Sequence, residues 1–461
     1  MARVPRPDET AVADLLGFEP ATDARTLYAG VQRVPPGHAL VVDARGARLR
    51  EYWRPEPGVA DEHRSDDDYA EECRALLQRA VGARLRASTP VVMFFSGGID
   101  SSAVLSAALD AAQRTGESAP RPVSMIFDQP ESDEREYRRA FAARSGLTPM
   151  EVAPAPLSRE GYESQALRRL VPPDLPAEYI GQPLMWRAKE IGARVALTGG
   201  GGDFLFGGSP LQYADLIRRG RLVAAVAQYV RDAKTDDSGW SATGLLTAGV
   251  WPLLPQRVRS VLRGPAARIT GENAQPPWLR LPRAGRSAVP DPPGGVSHAS
   301  WEICWSLRSG WTSFFMESGE RGASESGVEP RHPLLDPAIV RFALSLPETQ
   351  RRRGRTMKYV LRRAVNLPPQ IHTRLTKADF GYVMLDAFEV LGGRRFFETL
   401  QICEAGWVDP SAACNGYDLV RSRSPLTDPE AAALLPRLWI LAAVELWHRA
   451  AFGAASLRSG Y

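Results

Sequence analysis

Cysteine and lysine are scarce in this 461-residue chain. The four cysteines, Cys73, Cys304, Cys403 and Cys414, show no Cys-x-x-Cys spacing, which excludes a zinc ribbon or a disulfide framework as the organising device. Of 57 basic side chains only Lys189, Lys234, Lys358 and Lys377 are lysine. A composition bias toward arginine accounts for that, and it makes each lysine worth locating. The first residues, MARVPRPDETAVADLLGFEP, hold no apolar run of the kind a secretory signal needs. The longest apolar helical stretch, Leu438–Trp447, carries Glu445 and stops at His448 and Arg449. A membrane span takes about 20 apolar residues, so the stretch reads as a buried helix. A formal charge of +4 is too small to predict a nucleic-acid partner. The expectation is a cytoplasmic protein without membrane or nucleic-acid partners.

Apolar residues make up 44% and charged residues 24%, ordinary values for a globular chain with a sizeable core. Residues 1–55 read as a small β-rich piece. Ala39–Val42 and Arg48–Trp53 are candidate strands around the turn at Asp43–Gly46, too little to build a core alone. Asp66–Ala87 has helical apolar spacing, with Asp66 or Asp67 as its cap. Val91–Phe95 is five apolar residues without alternation, which suits a strand buried on both faces. A helix over Ala103–Gln113 follows. Strands at Pro122–Phe127, Met150–Ala153 and Arg194–Thr198 then alternate with helices at Glu134–Ser145 and Leu184–Gly192. That alternation predicts an α/β fold with a doubly wound parallel sheet. Beyond Gly208 the pattern turns helical: Leu211–Arg219, Leu222–Ala233, Ser300–Glu317, Pro337–Leu346, Lys358–Ala364, Leu385–Leu391 and Asp428–Phe452. The Pro-, Gly- and Arg-rich residues 271–297 read as a surface loop, and the tryptophans of Trp301–Trp311 as core.

The chemistry concentrates at the turn after Val91–Phe95, which reads Ser96-Gly97-Gly98-Ile99-Asp100-Ser101-Ser102. Two glycines let the backbone curl close to a ligand. Successive N–H groups then face outward at a helix start, where the dipole favours an anion. Ser96, Ser101 and Ser102 add hydroxyl donors. Asp100 among them would repel a bare phosphate, and makes sense if Mg²⁺ bridges the two. An ordinary glycine-rich turn explains Gly97 and Gly98 alone; the seven residues together point to phosphate binding. No Gly-Lys-Ser/Thr follows, so this is not a Walker A loop.

The loop resembles the PP-loop of ATP pyrophosphatases, which cleave ATP between its α and β phosphates. The segment 198–208, Thr-Gly-Gly-Gly-Gly-Asp-Phe-Leu-Phe-Gly-Gly, is similar to the second glycine-rich loop of the asparagine synthetase family. Residues 327–336, 358–362, 367–368, Arg374-x-x-Lys377-x-x-Phe380, Arg33–His38 and Tyr52–Trp53 follow that family's order. The resemblance covers nearly the whole chain. It implies an α/β PP-loop synthetase domain at 62–270, a linker at 271–299, a helical C-terminal part at 300–461, and a remnant of the family's glutaminase-like domain at 1–58.

What the resemblance implies for the site is specific. ATP and Mg²⁺ are the expected cofactors. Asp100 and Asp203 would hold the metal on the pyrophosphate. Ser96, Gly97, Gly98, Ser101, Ser102, Gly199 and Gly201 would line the ATP, and Lys377 would stabilise charge on the acyl-adenylate. Lys358 reads equally as a surface helix residue. Asp133-Glu134 matches an acidic pair of the family and equally a solvated helix start. Ser124–Asp128 would end a strand beside the adenine. Glu329 and Arg331 read as a structural ion pair, and His332 as structural.

Two departures bear on the substrate. Residue 2 is Ala2 and no thiol precedes Cys73, whereas the family's glutaminase nucleophile is a cysteine directly after Met1. Gly200 and Phe204 stand where the family's loop carries acids, so the usual base for ammonia is missing and room is expected beside the adenylate. Lasso-peptide cyclases, which are macrolactam synthetases, and β-lactam synthetases are branches of this resemblance without a working glutaminase. The expected reaction is adenylation of a carboxylate, on a peptide or on aspartate, and its capture by an amine. A peptide's own amine is preferred over ammonia, a peptide-binding or protease partner is possible company, and a scaffold that only keeps the fold is the contrary reading.

Overall fold

The computed structural model describes residues 6–453 apart from 21–23, 62, 234–241, 256, 260, 263–274, 283–289 and 426–427. β1 (His38–Asp43) and β2 (Gly46–Glu51) make an antiparallel hairpin. β3 (Val91–Phe94), β4 (Arg121–Met125), β5 (Met150–Val152), β6 (Val195–Leu197) and β7 (Glu329–Arg331) make a parallel sheet in the order β5-β4-β3-β6-β7. The chain winds outward from β3 on one side through β4 and β5, then on the other through β6 and β7. The order therefore reverses between β3 and β6, and ligands of such sheets bind outside the strands' carboxyl ends at that point.

Strand periodicity explains how this short sheet buries both faces. Met93 and Leu197 face a core built with helices Asp66–Leu85 and Ile99–Thr115. Their neighbours Val92 and Ala196 face the other way, toward Val123, Ala188 and Val328. The helix at Asp66 is capped by Ser65 rather than by Asp66 or Asp67: Ser65 Oγ accepts from Asp68 N at 3.2 Å, and Asp68 returns a bond to Ser65 N at 3.0 Å.

A separate apolar core holds the C-terminal helices. Its centre is Pro429–Phe452, started by Asp428 as cap and Pro429 in the first turn, as its sequence predicts. Among the described residues it is the one helix long and apolar enough to cross a membrane, yet Leu438–Trp447 is buried throughout. Glu445 is fully buried and accepts from Gln401 N at 2.9 Å and Ile402 N at 3.1 Å, with Arg449 beside it. A helix at Glu9–Leu16, absent from the sequence reading, sends Val12, Leu15 and Leu16 into the same core.

Several boundaries differ for physical reasons. The helix after the first glycine loop begins at Ile99, not Ala103, because Gly98 already caps it; Asp100, Ser101 and Ser102 are thus its first turn. The expected single helix Ser300–Glu317 is two, His298–Leu307 and Gly310–Ser326, because Ser309 caps the second through Thr312 N. Helices Arg159–Arg169 and Pro410–Ser422 were not expected. Within residues 271–297, the described stretch at 275–282 is not simply surface: Trp278 is fully buried beneath Gly416. Trp301, Trp305 and Trp311 are only partly buried, so they rim the core rather than fill it.

Candidate active site

The first glycine-rich loop leaves the end of β3 and turns through Gly97 at φ +95°. A Cβ there would stand 3.1 Å from Tyr137 Cβ and 3.2 Å from Arg138 Cγ, so both conformation and space demand glycine. Ser96 Oγ accepts from Gly98 N at 3.1 Å and meets Ser101 Oγ at 3.1 Å. Ser101 Oγ also donates to Gly98 O at 3.2 Å. These bonds hold the loop closed over the N-terminus of a seventeen-residue helix. Ser102 is fully buried and its hydroxyl has no partner among the described residues; it does not line the cavity at the loop's mouth.

The second loop leaves β6. Gly199 and Gly202 bring it against the first. A Cβ on Gly199 would lie 2.7 Å from Ser101 N, and one on Gly202 would land on the Asp100 carboxylate. Gly201 sits at φ +97° against Leu335. The loop opens a short helix, Gly202–Phe206, that presents Asp203. Gly202 was not among the expected site residues, although the run of four glycines at 199–202 was the available signal.

One lysine bridges the loops and a second meets Asp203 alone. Lys358 Nζ lies 2.5 Å from Asp100 Oδ2 and 2.7 Å from Asp203 Oδ1. Lys377 Nζ lies 2.7 Å from the same Asp203 oxygen. The cavity they share holds about 320 Å³ and is lined by Ser96, Gly98, Asp100, Ser101, Gly199 and Asp203 among others. Lys358 is therefore no surface residue: it is 6% exposed, against a sequence reading that left it open. Its N–H donates to Phe206 O at 3.1 Å, which ties it to the second loop. Its scarcity, one lysine of four, was the signal for it.

The electrostatics follow from burial. Burial pushes the Asp100 carboxyl above its ordinary value, against the pull of Lys358. Burial also pushes Asp203 upward, but Lys358 and Lys377 together outweigh it and hold that carboxyl below its ordinary value. Asp100 Oδ1 is buried with no partner among the described residues. An unpaired oxygen on one loop and a half-exposed carboxylate on the other form the hard-oxygen donor pair that Mg²⁺ takes, with phosphates and water completing the set. The residues fit that ion; no group of three or more acid, His or Cys ligands exists among the described residues.

The surrounding groups are engaged structurally. Glu134 is buried and paired with Arg374 at 2.5 Å, while Asp133 accepts from Arg135 N at 2.9 Å. Ser124 donates to Phe95 O across the sheet. Arg331 and Glu329 form the expected ion pair at 2.9 Å. The room expected beside Gly200 is taken: a Cβ there would lie 2.9 Å from His332 Nδ1, which itself meets Thr198 Oγ1 at 2.6 Å. Burial, with Arg84 nearby, keeps His332 below its usual pKa and so neutral.

A parallel sheet with two glycine loops, paired aspartates and paired lysines at its switch point defines an α/β protein of the PP-loop type. The asparagine synthase family model matches residues 72–449, and the chain belongs to that family. It is 24% identical over 372 residues to asparagine synthetase [glutamine-hydrolyzing] 1 of Bacillus subtilis (strain 168), covering 77% of this chain and 56% of that protein. It is 26% identical over 221 residues to asparagine synthetase [glutamine-hydrolyzing] 3 of the same organism, covering 44% and 35%. Among solved structures it is similar to the U34-tRNA thiolase NcsA from Methanococcus maripaludis with its [4Fe-4S] cluster, at 12% identity, 57% and 78% coverage and a TM-score of 0.22, too low to carry an argument. The chain thus spans between about a third and just over half the length of these curated relatives.

Proposed function

We propose that this chain adenylates a carboxylate with ATP and transfers the acyl group to an amine, forming an amide, AMP and pyrophosphate. The observation that carries the reading is the cluster of Asp100, Asp203, Lys358 and Lys377 at the sheet's switch point. Loop N–H groups at the helix start of Ile99 would donate to phosphate oxygens. Asp100 and Asp203 would hold Mg²⁺, whose chemistry here is to neutralise the departing pyrophosphate. Lys358 and Lys377 supply fixed positive charge where negative charge develops as the α–β bond breaks. A purely structural ion pair would not leave Asp100 Oδ1 buried without a partner among the described residues, which speaks against a non-catalytic scaffold.

We further propose that the amine is not ammonia released from glutamine by these residues. Burial pushes Cys73 to about 12 and Cys304 and Cys403 to about 11, and raises Cys414, so no described thiol is poised as a nucleophile. Gly200 supplies no base, and neutral His332 fills the space beside it. A peptide amine tethered near the adenylate asks less of a base, because tethering raises effective concentration. The preferred reading is therefore a macrolactam-forming cyclase, with asparagine synthesis from aspartate the alternative. The test measures AMP with aspartate plus ammonium, and with peptides carrying a free N-terminus and an internal Asp or Glu, followed by mass spectrometry for loss of one water. Robust asparagine formation rejects the cyclase reading. Cyclised peptide with little asparagine supports it.

A further inference from the structure

A second and larger cavity, of about 770 Å³, is lined by residues from the stretches 60–69, 212–231 and 346–354. Six arginines line it: Arg64, Arg219, Arg221, Arg231, Arg352 and Arg353. Of its four carboxylates, Asp61 is exposed and accepts from His63 N at 3.0 Å, and the other three are committed within the fold. Asp66 is held by Arg353, Gln350 and Tyr359. Asp215 accepts from His298 N at 2.7 Å and Ala299 N at 3.1 Å, capping a helix. Glu348 accepts from Ser209 N at 3.0 Å and pairs with Arg351. Arg221 and Arg231, in contrast, are exposed and have no ion-pair partner among the described residues; Arg231 only reaches Gln228 Oε1 at 2.8 Å. Arg64 pairs with Glu72 and Arg353 with Asp66, so the positive charge the cavity offers is that of Arg221 and Arg231, beside the apolar lining of Leu216, Leu346 and Pro347.

The two arginines without an ion-pair partner do not converge on one point: Arg221 precedes helix Leu222–Ala233 and Arg231 lies in its last turn, ten residues and so about 15 Å along the axis. A single phosphate or carboxylate would need convergence; several carboxylates spaced along an extended chain do not. The cavity is also coupled to the site. Arg352 and Arg353 form the strand that pairs with Thr356–Met357, directly before Lys358. Gly208, at the end of the Asp203 helix, packs on Arg352 and Glu348, where a Cβ would stand 3.2 Å and 3.3 Å away. We infer that this cavity docks an acidic peptide segment, one bearing several Asp or Glu side chains, of the peptide acceptor. The role as acceptor rests on the synthetase reading; the docking does not.

The probe is a fluorescein-labelled peptide of alternating Glu and Ser, blocked at both ends so that it cannot react, titrated by anisotropy without ATP. Binding should weaken as salt rises, and should weaken at least tenfold in Arg221→Glu/Arg231→Glu. Both positions are exposed and lie outside the candidate active site, so ATP binding by that variant should match the wild type, which also reports folding. Equal peptide affinity in wild type and variant, no binding at all, or tighter binding of single-stranded RNA or inorganic phosphate at the same arginines would overturn the inference. Because the assay contains no ATP, a chain that docks the peptide but makes no AMP would reject the synthetase reading and leave the docking surface standing.

Discussion

Lys358 enters its helix in the left-handed region, at φ +58°. That conformation costs a non-glycine residue roughly 1–2 kcal/mol, and a charge bridge between two loops is what it holds in place. Lys358→Met keeps the stem and removes the charge. AMP formation should fall 10²–10³-fold, about 2.7–4 kcal/mol of transition-state stabilisation. Pyrophosphate-release kinetics check this, and near-normal turnover would place Lys358 outside the chemistry. Glycines give a paired test. Gly202→Ala puts a methyl on the Asp100 carboxylate and should abolish turnover and lower the melting temperature. Gly82→Ala, inside helix Asp66–Leu85 with open space around it, should instead stabilise by about 1 kcal/mol.

Between elements, the clearest electrostatic strain joins helix Pro176–Tyr179 to helix Gly310–Ser326. The Ser318 hydroxyl lies 2.6 Å from Glu178 Oε2 and 2.7 Å from Asp174 Oδ1, but has one proton to give. Asp174 is already satisfied by Arg169 at 2.8 Å, so Glu178 is the acid that stays protonated. Burial, with Asp174 as a like charge nearby, pushes it up to about 7 despite the Ser318 bond. A folded pKa above the unfolded value of 4.5 means the folded state binds the extra proton. The stability from this group is fully present below about pH 4.5 and is lost as pH rises toward 7, by at most about 3 kcal/mol. Denaturant unfolding across that window should show the decline, and Glu178→Gln should flatten it. An unchanged slope in the variant would place the titration elsewhere.

Across the whole molecule, the two ends of the described chain share one core. Val12, Leu15 and Leu16 pack in the cluster that includes Trp439 and Trp447, and Trp447 Nε1 donates to Tyr28 Oη at 2.9 Å. Deleting residues 1–17 removes the buried side chains Val12, Leu15 and Leu16 and uncovers the core surface they pack against, a loss of roughly 1.5–3 kcal/mol for each. Such a truncation should unfold at much lower denaturant and aggregate through helix Pro429–Phe452. A truncated chain with unchanged stability would mean that the N-terminal helix is an appendage.

Read by themselves, the residues fixed what depends on local pattern. The unbroken apolar run at Val91–Phe95, the two glycine loops and the strand–helix alternation sufficed for a parallel sheet with tight turns after its strands, because burial on both faces removes polar alternation and a turn at positive φ favours glycine. The Asp428-Pro429 start of the last helix was equally plain. What needed the fold was every relation between distant segments. Lys358 joins Asp100 across 258 positions, and Trp278 is buried from inside a proline-rich stretch that reads as surface. His332 fills the space expected beside Gly200. Such contacts are set by which elements the sheet order brings side by side, and periodicity within a segment carries no information about its neighbours in space.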